Sequence, residues 1–479
     1  MDAKGKRHVE RKVLTLSCFC GLFYRMCFFL VKQILRCWLG GAKAVKLSVF
    51  LKKRGVDVKQ KLAERLSSIH FVYGTTMVMF VLAAVIMEPF PQLVENYIAI
   101  LRSPDILVTD YIYVGGLYAA LLNAGITSLL SLGMLVAFKH DPRSQTISNL
   151  WLVTGFAFFG KNIFTVIPIY FGGWLYSKYM KQDFNVNILT MLVAAALSPA
   201  VTQKIFISVE STFIDVGFAI GMGIIIGFIF DPVAKNLFKA HDGFNLYNAG
   251  FTAGMIAIII TAIFDSFGIA YEMNNQWSSG YNLEITIIIL AVSVWNIFVG
   301  LYTNRHDIRA TLGTLIEKRK LQNDYYSHYG TKCYVNMGVI AIYCVIVAHI
   351  LRLELNGLIL GAILSIIGFG ANGKQLYSAT ALMTGIVLST LLSPMTFENP
   401  NVGVALFFVT CLSPIPAKFG WHWGVLAGAL HLHIVTSLAM PSGGINLYNN
   451  GISAGFVAIL LLPLIRSVND RMERKKQSK

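Results

Sequence analysis

Charge is scarce in this chain. Only 13% of its 479 residues are Asp, Glu, Lys or Arg, about half the share of an average soluble domain. That shortage excludes a soluble enzyme and a disordered chain, both of which need more polar surface. Cysteine supplies no alternative scaffold. The seven cysteines form no Cys-x-x-Cys pair and no metal-ligand spacing, which excludes a disulfide-built module and leaves no metal or other cofactor expected.

Apolar side chains are abundant instead, at 55% of the chain, with a mean hydropathy of +0.62. A bilayer crossing takes about 20 apolar residues, so the chain has room for about ten or more helices. The composition predicts an all-α, polytopic transmembrane helical protein in contact with the lipid bilayer. Its formal net charge of +16 is concentrated at one end: Met1–Arg65 holds 16 Lys or Arg against four acids. A basic tail of this kind reads as positive-inside topology and attraction to anionic lipid, with no nucleic acid as partner. Within it, Val13–Val31 is apolar but has Arg25 in its middle and no small-residue cleavage site after it. Residues 1–65 are therefore expected to form an amphipathic segment lying at the membrane surface.

Twelve apolar runs follow between His70 and Ile465. Loop charge orients them. Thr303–Lys332 and the tail after Ile465 are rich in Lys and Arg, whereas Asp265–Glu284 has three acids and no base. The first two are expected in the cytoplasm with the N-terminus, and the third outside. This predicts a multi-pass protein of the cell membrane with both termini cytoplasmic. The parts are residues 1–65, a first membrane repeat at 66–266, an external loop at 267–282, a second repeat at 283–466 containing the cytoplasmic linker 303–332, and a basic tail at 467–479.

Parity fixes one more feature. Lys139–Arg143 and Lys178/Lys181 both belong inside, so the run Asn149–Tyr176 between them has to leave and return on one side. As a single helix it would be ~42 Å long, too long for a ~30 Å hydrocarbon core without strong tilt. A re-entrant or broken hairpin, split at Gly160-Lys161-Asn162, satisfies both length and charge. Leu358–Ser393, split at Gly373-Lys374-Gln375, has the same form.

The two hairpins belong to a duplication. Gly243–Gly254 and Gly444–Gly455 agree at eight of twelve positions, around a shared Asn-Leu-Tyr-Asn. Gly223 and Gly227 match Gly424 and Gly428, Leu197-Ser198-Pro199 matches Leu412-Ser413-Pro414, and Gly155 with Gly160-Lys161 matches Gly368 with Gly373-Lys374. The first hairpin starts from the cytoplasm and the second from outside, with Glu284–Leu301 and Val335–Leu351 joining the copies. This predicts two inverted-topology repeats, an arrangement that puts a solute site near the midplane.

The duplicated Asn-Leu-Tyr-Asn-x-Gly element and the preceding Gly-Lys hairpin resemble an uncharacterised family of bacterial multi-spanning membrane proteins, defined only as a domain of unknown function. The resemblance covers roughly residues 65–466 and implies no activity. The inverted halves and Tyr-Asn turns are also similar in architecture to urea-channel proteins, although their proline-threonine pore motifs are missing here.

Lys161 and Lys374 are the leading solute-binding candidates. A lysine in hydrocarbon costs about 2.5–3.5 kcal/mol on insertion scales and needs a partner or a wet cavity; the alternative is a hairpin turn that snorkels to water. Asn162 and Gln375 follow them directly. A nucleotide-binding loop is excluded, because Ser or Thr is needed after the lysine. Asn245, Tyr247 and Asn248, with Asn446, Tyr448 and Asn449, carry groups that cap helices or replace a solute's hydration shell. His431 and His433 sit in an apolar run as candidates for proton relay or structural bonding. Two positions apart on a helix, they do not share a metal. The Gly pairs read as small-residue packing faces. No catalytic residue is assigned. The expected function is a transporter of a small polar or anionic solute. A passive channel for a small neutral solute and an intramembrane enzyme are the alternatives. Self-association is left open.

Overall fold

A computed structural model of the chain describes residues 68–103, 109–207, 213–268, 276–315, 324–438, 441, 444, 446–447 and 449–477. The amphipathic segment expected over residues 1–65 lies outside the described residues, as does Tyr448.

Helices carry the architecture. In chain order they are α1 (Ile69–Met87), α2 (Phe90–Leu101), α3 (Tyr111–Ala137), α4 (Ser144–Phe156), α5 (Ile163–Tyr179), α6 (Ile188–Ala194), α7 (Ser198–Ile207), α8 (Phe213–Leu237), α9 (Asn248–Ser266) and α10 (Asn282–Thr303). Then come α11 (Ile308–Gly313), α12 (Tyr325–Tyr329), α13 (Cys333–Ile350), α14 (Gly357–Phe369), α15 (Leu376–Leu391), α16 (Pro400–Phe408), α17 (Pro414–Phe419), α18 (Trp421–Ser437) and α19 (Asn449–Gln477). Among the described residues the sole β contact is an isolated bridge between Thr109 and Gln276. Seven helices among the described residues are long and apolar enough to cross a bilayer. Large apolar side chains such as Phe164, Ile350 and Leu392 stand exposed on the outer surface, which suits lipid as the solvent and would be a liability in water. The chain is an integral, multi-pass membrane protein.

Polar side chains set the helix starts. Ser68, Asp110, Asn162, Asn356 and Asn399 each accept from backbone N–H groups of the helix they precede, satisfying donors that no intrahelical carbonyl can reach. Both long apolar runs are broken as their length and charge require. Asn149–Tyr176 resolves into α4 and α5, and Leu358–Ser393 into α14 and α15.

Small residues set the helix crossings, and the crossings recur in pairs. A Cβ added at Gly227 on α8 would strike the Ile169 carbonyl oxygen on α5; one at Gly428 on α18 would strike the Leu382 carbonyl on α15. Gly125 on α3 packs against Met77 and Val81 on α1, and Gly338 on α13 packs against Ser293 and Ile297 on α10. Helix α13, which contains Val335–Ile350, thus packs on α10 as α3 packs on α1.

At the centre α4 crosses α14. Gly155 meets Gly361, and Ser148 with Trp151 meets Gly368. As one chain rises through these contacts the other descends, so the two helices are antiparallel. The paired elements around Asn245 and Asn446 exchange bonds as well. Leu246 N–H donates to the Cys411 carbonyl (3.0 Å), and Leu447 N–H donates to the Ala196 carbonyl (3.1 Å). Each Asn-Leu-Tyr-Asn segment is thus fastened to the half of the chain it does not come from.

Asp110 ties three separate segments. Its Oδ1 accepts from Ile112 N (2.8 Å), and its Oδ2 from Ser278 N (3.0 Å), Ser278 Oγ (2.6 Å) and Gly357 N (3.1 Å). One carboxylate therefore caps α3 and also holds the first residue of α14. Asp324 stands before α12 and caps it, accepting from Ser327 N. Burial acts to raise the Asp324 carboxyl, but the bonds from Ser327 N (3.0 Å) and Ser327 Oγ, with Ser144 close by, outweigh it and hold the group below the usual carboxylate range. Asp110→Asn turns one acceptor oxygen into a donor facing other donors. We expect it to lower stability in detergent by about 2–4 kcal/mol, the scale of losing charge-assisted bonds at a buried group. An unchanged thermal unfolding midpoint would show that Asp110 does not hold these segments.

Candidate functional site

The site is built on the two helix breaks. After α4, residues Ala157–Asn162 leave helical geometry, and Gly160 adopts φ +136°. After α14, Gly373 adopts φ +92°. Only glycine takes these values without strain, which explains the Gly that precedes each lysine. Helix restarts at Asn162 and Gln375. Asn162 Oδ1 accepts from Phe164 N (3.0 Å) and Thr165 N (3.3 Å), so its side chain is a cap. Gln375 occupies the same position without capping, and its Nε2 reaches the Thr314 carbonyl at 3.4 Å.

Each break is clamped from the side by one asparagine. Asn123 on α3 donates through Nδ2 to the carbonyls of Ala157 (2.7 Å) and Lys161 (2.8 Å). Asn336 on α13 donates to those of Gly370 (2.9 Å) and Lys374 (2.7 Å). The carbonyls freed by a broken helix need such donors inside a membrane. Sequence reading missed both clamps. A signal was there: Asn123-x-Gly125 and Asn336-x-Gly338 are separated by the same interval as Lys161 and Lys374.

Both lysine side chains are fully buried. Lys374 Nζ donates to Tyr247 Oη (2.7 Å) and Thr410 Oγ1 (2.9 Å) and lies 4.3 Å from the Tyr247 ring and 4.7 Å from that of Phe369. Lys161 Nζ lies 5.3 Å from the Phe156 ring. Ring faces attract cations by about 2 kcal/mol or more once desolvated. The rings also connect the two ammonium groups. Phe156 packs on Phe408 at 6.0 Å between centroids, and Phe408 on Tyr247 at 5.8 Å. Three aromatic side chains from three segments therefore separate Lys161 from Lys374. Neither lysine has a carboxylate within ion-pair distance among the described residues.

The other sequence candidates fall around this core in different ways. Tyr247 joins it directly. Asn245 Nδ2 donates to the Gly451 carbonyl (2.9 Å), and its Oδ1 accepts from Tyr247 N (2.9 Å), so it shapes the turn that presents Tyr247. Asn248 Oδ1 pairs with His241 Nε2 at 2.9 Å. Asn446 Nδ2 donates to Asn449 Oδ1 (3.1 Å). His431 is held between Asn450 Oδ1 and Ser453 Oγ, both at 3.1 Å. His433 pairs instead with Ser389 Oγ at 2.7 Å. The two histidines thus make separate contacts.

These residues have relatives. Over residues 91–266 and 304–467 the chain matches a family described as protein of unknown function (DUF1576). The chain belongs to that family. Lys161, Lys374, Asn123, Asn336, Tyr247 and Thr410 all fall within the two matched stretches. No curated protein and no solved structure matches. Family membership therefore supplies no reaction or solute, and the geometry alone carries the functional argument.

Proposed function

We propose that this protein is a cell-membrane transporter of a small polar or anionic solute, not an enzyme, with its site between two inverted copies and both termini in the cytoplasm. The observation that carries this reading is the pair of fully buried lysines on matching helix breaks, joined through one aromatic core. Ionisable groups at such depth are costly and mark solute or ion pathways far more often than they mark packing. Inversion is favoured by the antiparallel crossing of α4 and α14. An axis parallel to the helices would leave equivalent helices parallel; an axis across them, in the membrane plane, reverses them. Sidedness follows from Lys139, Lys178 and Lys235, which fall at or beyond the ends of α3, α5 and α8, where positive charge belongs to the cytoplasmic face.

Flux into proteoliposomes tests the reading. Small anions and neutral amides are compared for the natural chain and for Lys161→Met/Lys374→Met. We expect anion flux that falls by at least about tenfold in the double variant, the effect of losing a charge-assisted contact of about 1.5–3 kcal/mol. A dependence on pH or sodium would mark coupling. Neutral-solute flux that survives the double variant would instead establish the channel alternative.

A further inference from the structure

Lys161 and Lys374 correspond in sequence but not in surroundings. Lys374 spends two of its three N–H donors on Tyr247 and Thr410. Among the described residues Lys161 Nζ, equally buried, has no hydrogen-bond partner. Part of the difference is written in the sequence. The reciprocal bonds of Leu246 to Cys411 and of Leu447 to Ala196 set Ala195 where the other copy has Thr410, so the hydroxyl that serves Lys374 has no equivalent beside Lys161. A second difference lies on α3. One turn beyond Asn123, Thr127 has a buried Oγ1 without a partner, and the corresponding residue of α13 is Ile340.

We propose that Lys161, rather than Lys374, is the group that binds the solute, and that it takes a small monovalent anion. This assignment rests on the transporter reading above and narrows it. A buried ammonium whose three donors find no acceptor among the described residues needs both acceptors and a compensating charge. No carboxylate of the described residues offers either to Lys161, and a single anion supplies both. The start of α5, two residues after Lys161, adds partial positive charge in the same region. One uncompensated cation is matched by one negative charge, which favours a monovalent over a divalent ligand. Lys374 is already fastened by Tyr247 and Thr410 and serves as a fixed post.

The test is the thermal unfolding midpoint of the purified full chain at constant ionic strength, in sodium salts of chloride, nitrate, formate and acetate. Sulfate, gluconate and urea serve as divalent, bulky and neutral comparisons. We expect at least one small monovalent anion to raise the midpoint saturably, with the inorganic and carboxylate arms separating the two sources of such an anion. Lys161→Met should abolish the shift and Lys161→Arg should restore it. Ala195→Ser supplies the missing hydroxyl as an internal acceptor and should weaken anion binding about tenfold; it keeps every charged group, so it decides the matter even where Lys161→Met does not fold. A shift that persists in Lys161→Met, or the absence of any shift in the natural chain, overturns the assignment. So does a shift that is lost in Lys374→Met but kept in Lys161→Met. Anion binding through Lys161 without flux would overturn transport and leave this site standing. Anion flux that survives Lys161→Met but is lost in Lys161→Met/Lys374→Met, with no anion shift, would do the reverse.

Discussion

Gly155→Leu should yield no monodisperse protein. The glycine sits where α4 crosses α14, and a Cβ there would collide with the Gly361 carbonyl oxygen and lie 2.6 Å from Ser365 Oγ. The contact is reciprocal, because a Cβ at Gly361 would collide with the Gly155 carbonyl. Backbone atoms inside two packed helices cannot step aside as a flexible side chain does. Overpacking a core by a few methylenes costs about 1–3 kcal/mol even where neighbours can repack. Here the helices themselves must part, and a total stability of about 5–15 kcal/mol does not survive a separation that runs the length of the crossing. Gly155→Ala brings the same Cβ against the same carbonyl and should already lose most of the monodisperse protein, with Leu worse. The control is Gly133→Leu on α3, an exposed position where a Cβ meets nothing within 4 Å, and no effect is expected. Size-exclusion profiles of the three variants decide it. A normal profile for Gly155→Leu would mean that the two helices do not cross at this point.

Loss of an asparagine clamp should have the second largest effect, and a different signature. Asn336→Ala removes two bonds from the break that carries Lys374, and Asn123→Ala removes two from the break that carries Lys161. Single interhelical bonds in membranes are worth about 0.6–1.7 kcal/mol, so each variant should lose about 1–3 kcal/mol of stability. Its effect on solute flux should be larger than that loss implies, because the clamped carbonyl belongs to the lysine itself and sets where the ammonium stands. Combining Asn123→Ala with Lys161→Met should add little further loss of flux, since both act on one group. Fully additive losses would show that the clamp has a purely structural role.

Legibility in the sequence followed the range of each interaction. The breaks at Lys161 and Lys374 were readable because a local quantity, an apolar run too long to cross once, met a local charge and a repeated Gly. The packing glycines were readable for the same reason. Asn123 and Asn336 had no such local mark, since an asparagine inside an apolar helix carries no sign of which carbonyl it will meet. Asp110 was invisible because its donors come from Ser278 and Gly357, 168 and 247 residues away. The inequality of the two lysines was hidden as well. It depends on Thr410 against Ala195, a pair that the Leu-Ser-Pro match aligns but that only the fold brings to the lysine, where Thr410 Oγ1 accepts from Lys374.

The crossed bonds of Leu246 and Leu447 have a consequence for how the protein is made. Ala196 is synthesised early, yet the N–H that satisfies its carbonyl belongs to a residue about 250 positions later. At about 5–20 residues per second a ribosome needs roughly 10–50 seconds to supply it. Throughout that interval the first copy holds the Ala196 carbonyl without its final donor. The insertion machinery has to shelter an incomplete half rather than release it. Two halves produced as separate polypeptides in one cell should therefore find each other, whereas either half made alone should be degraded.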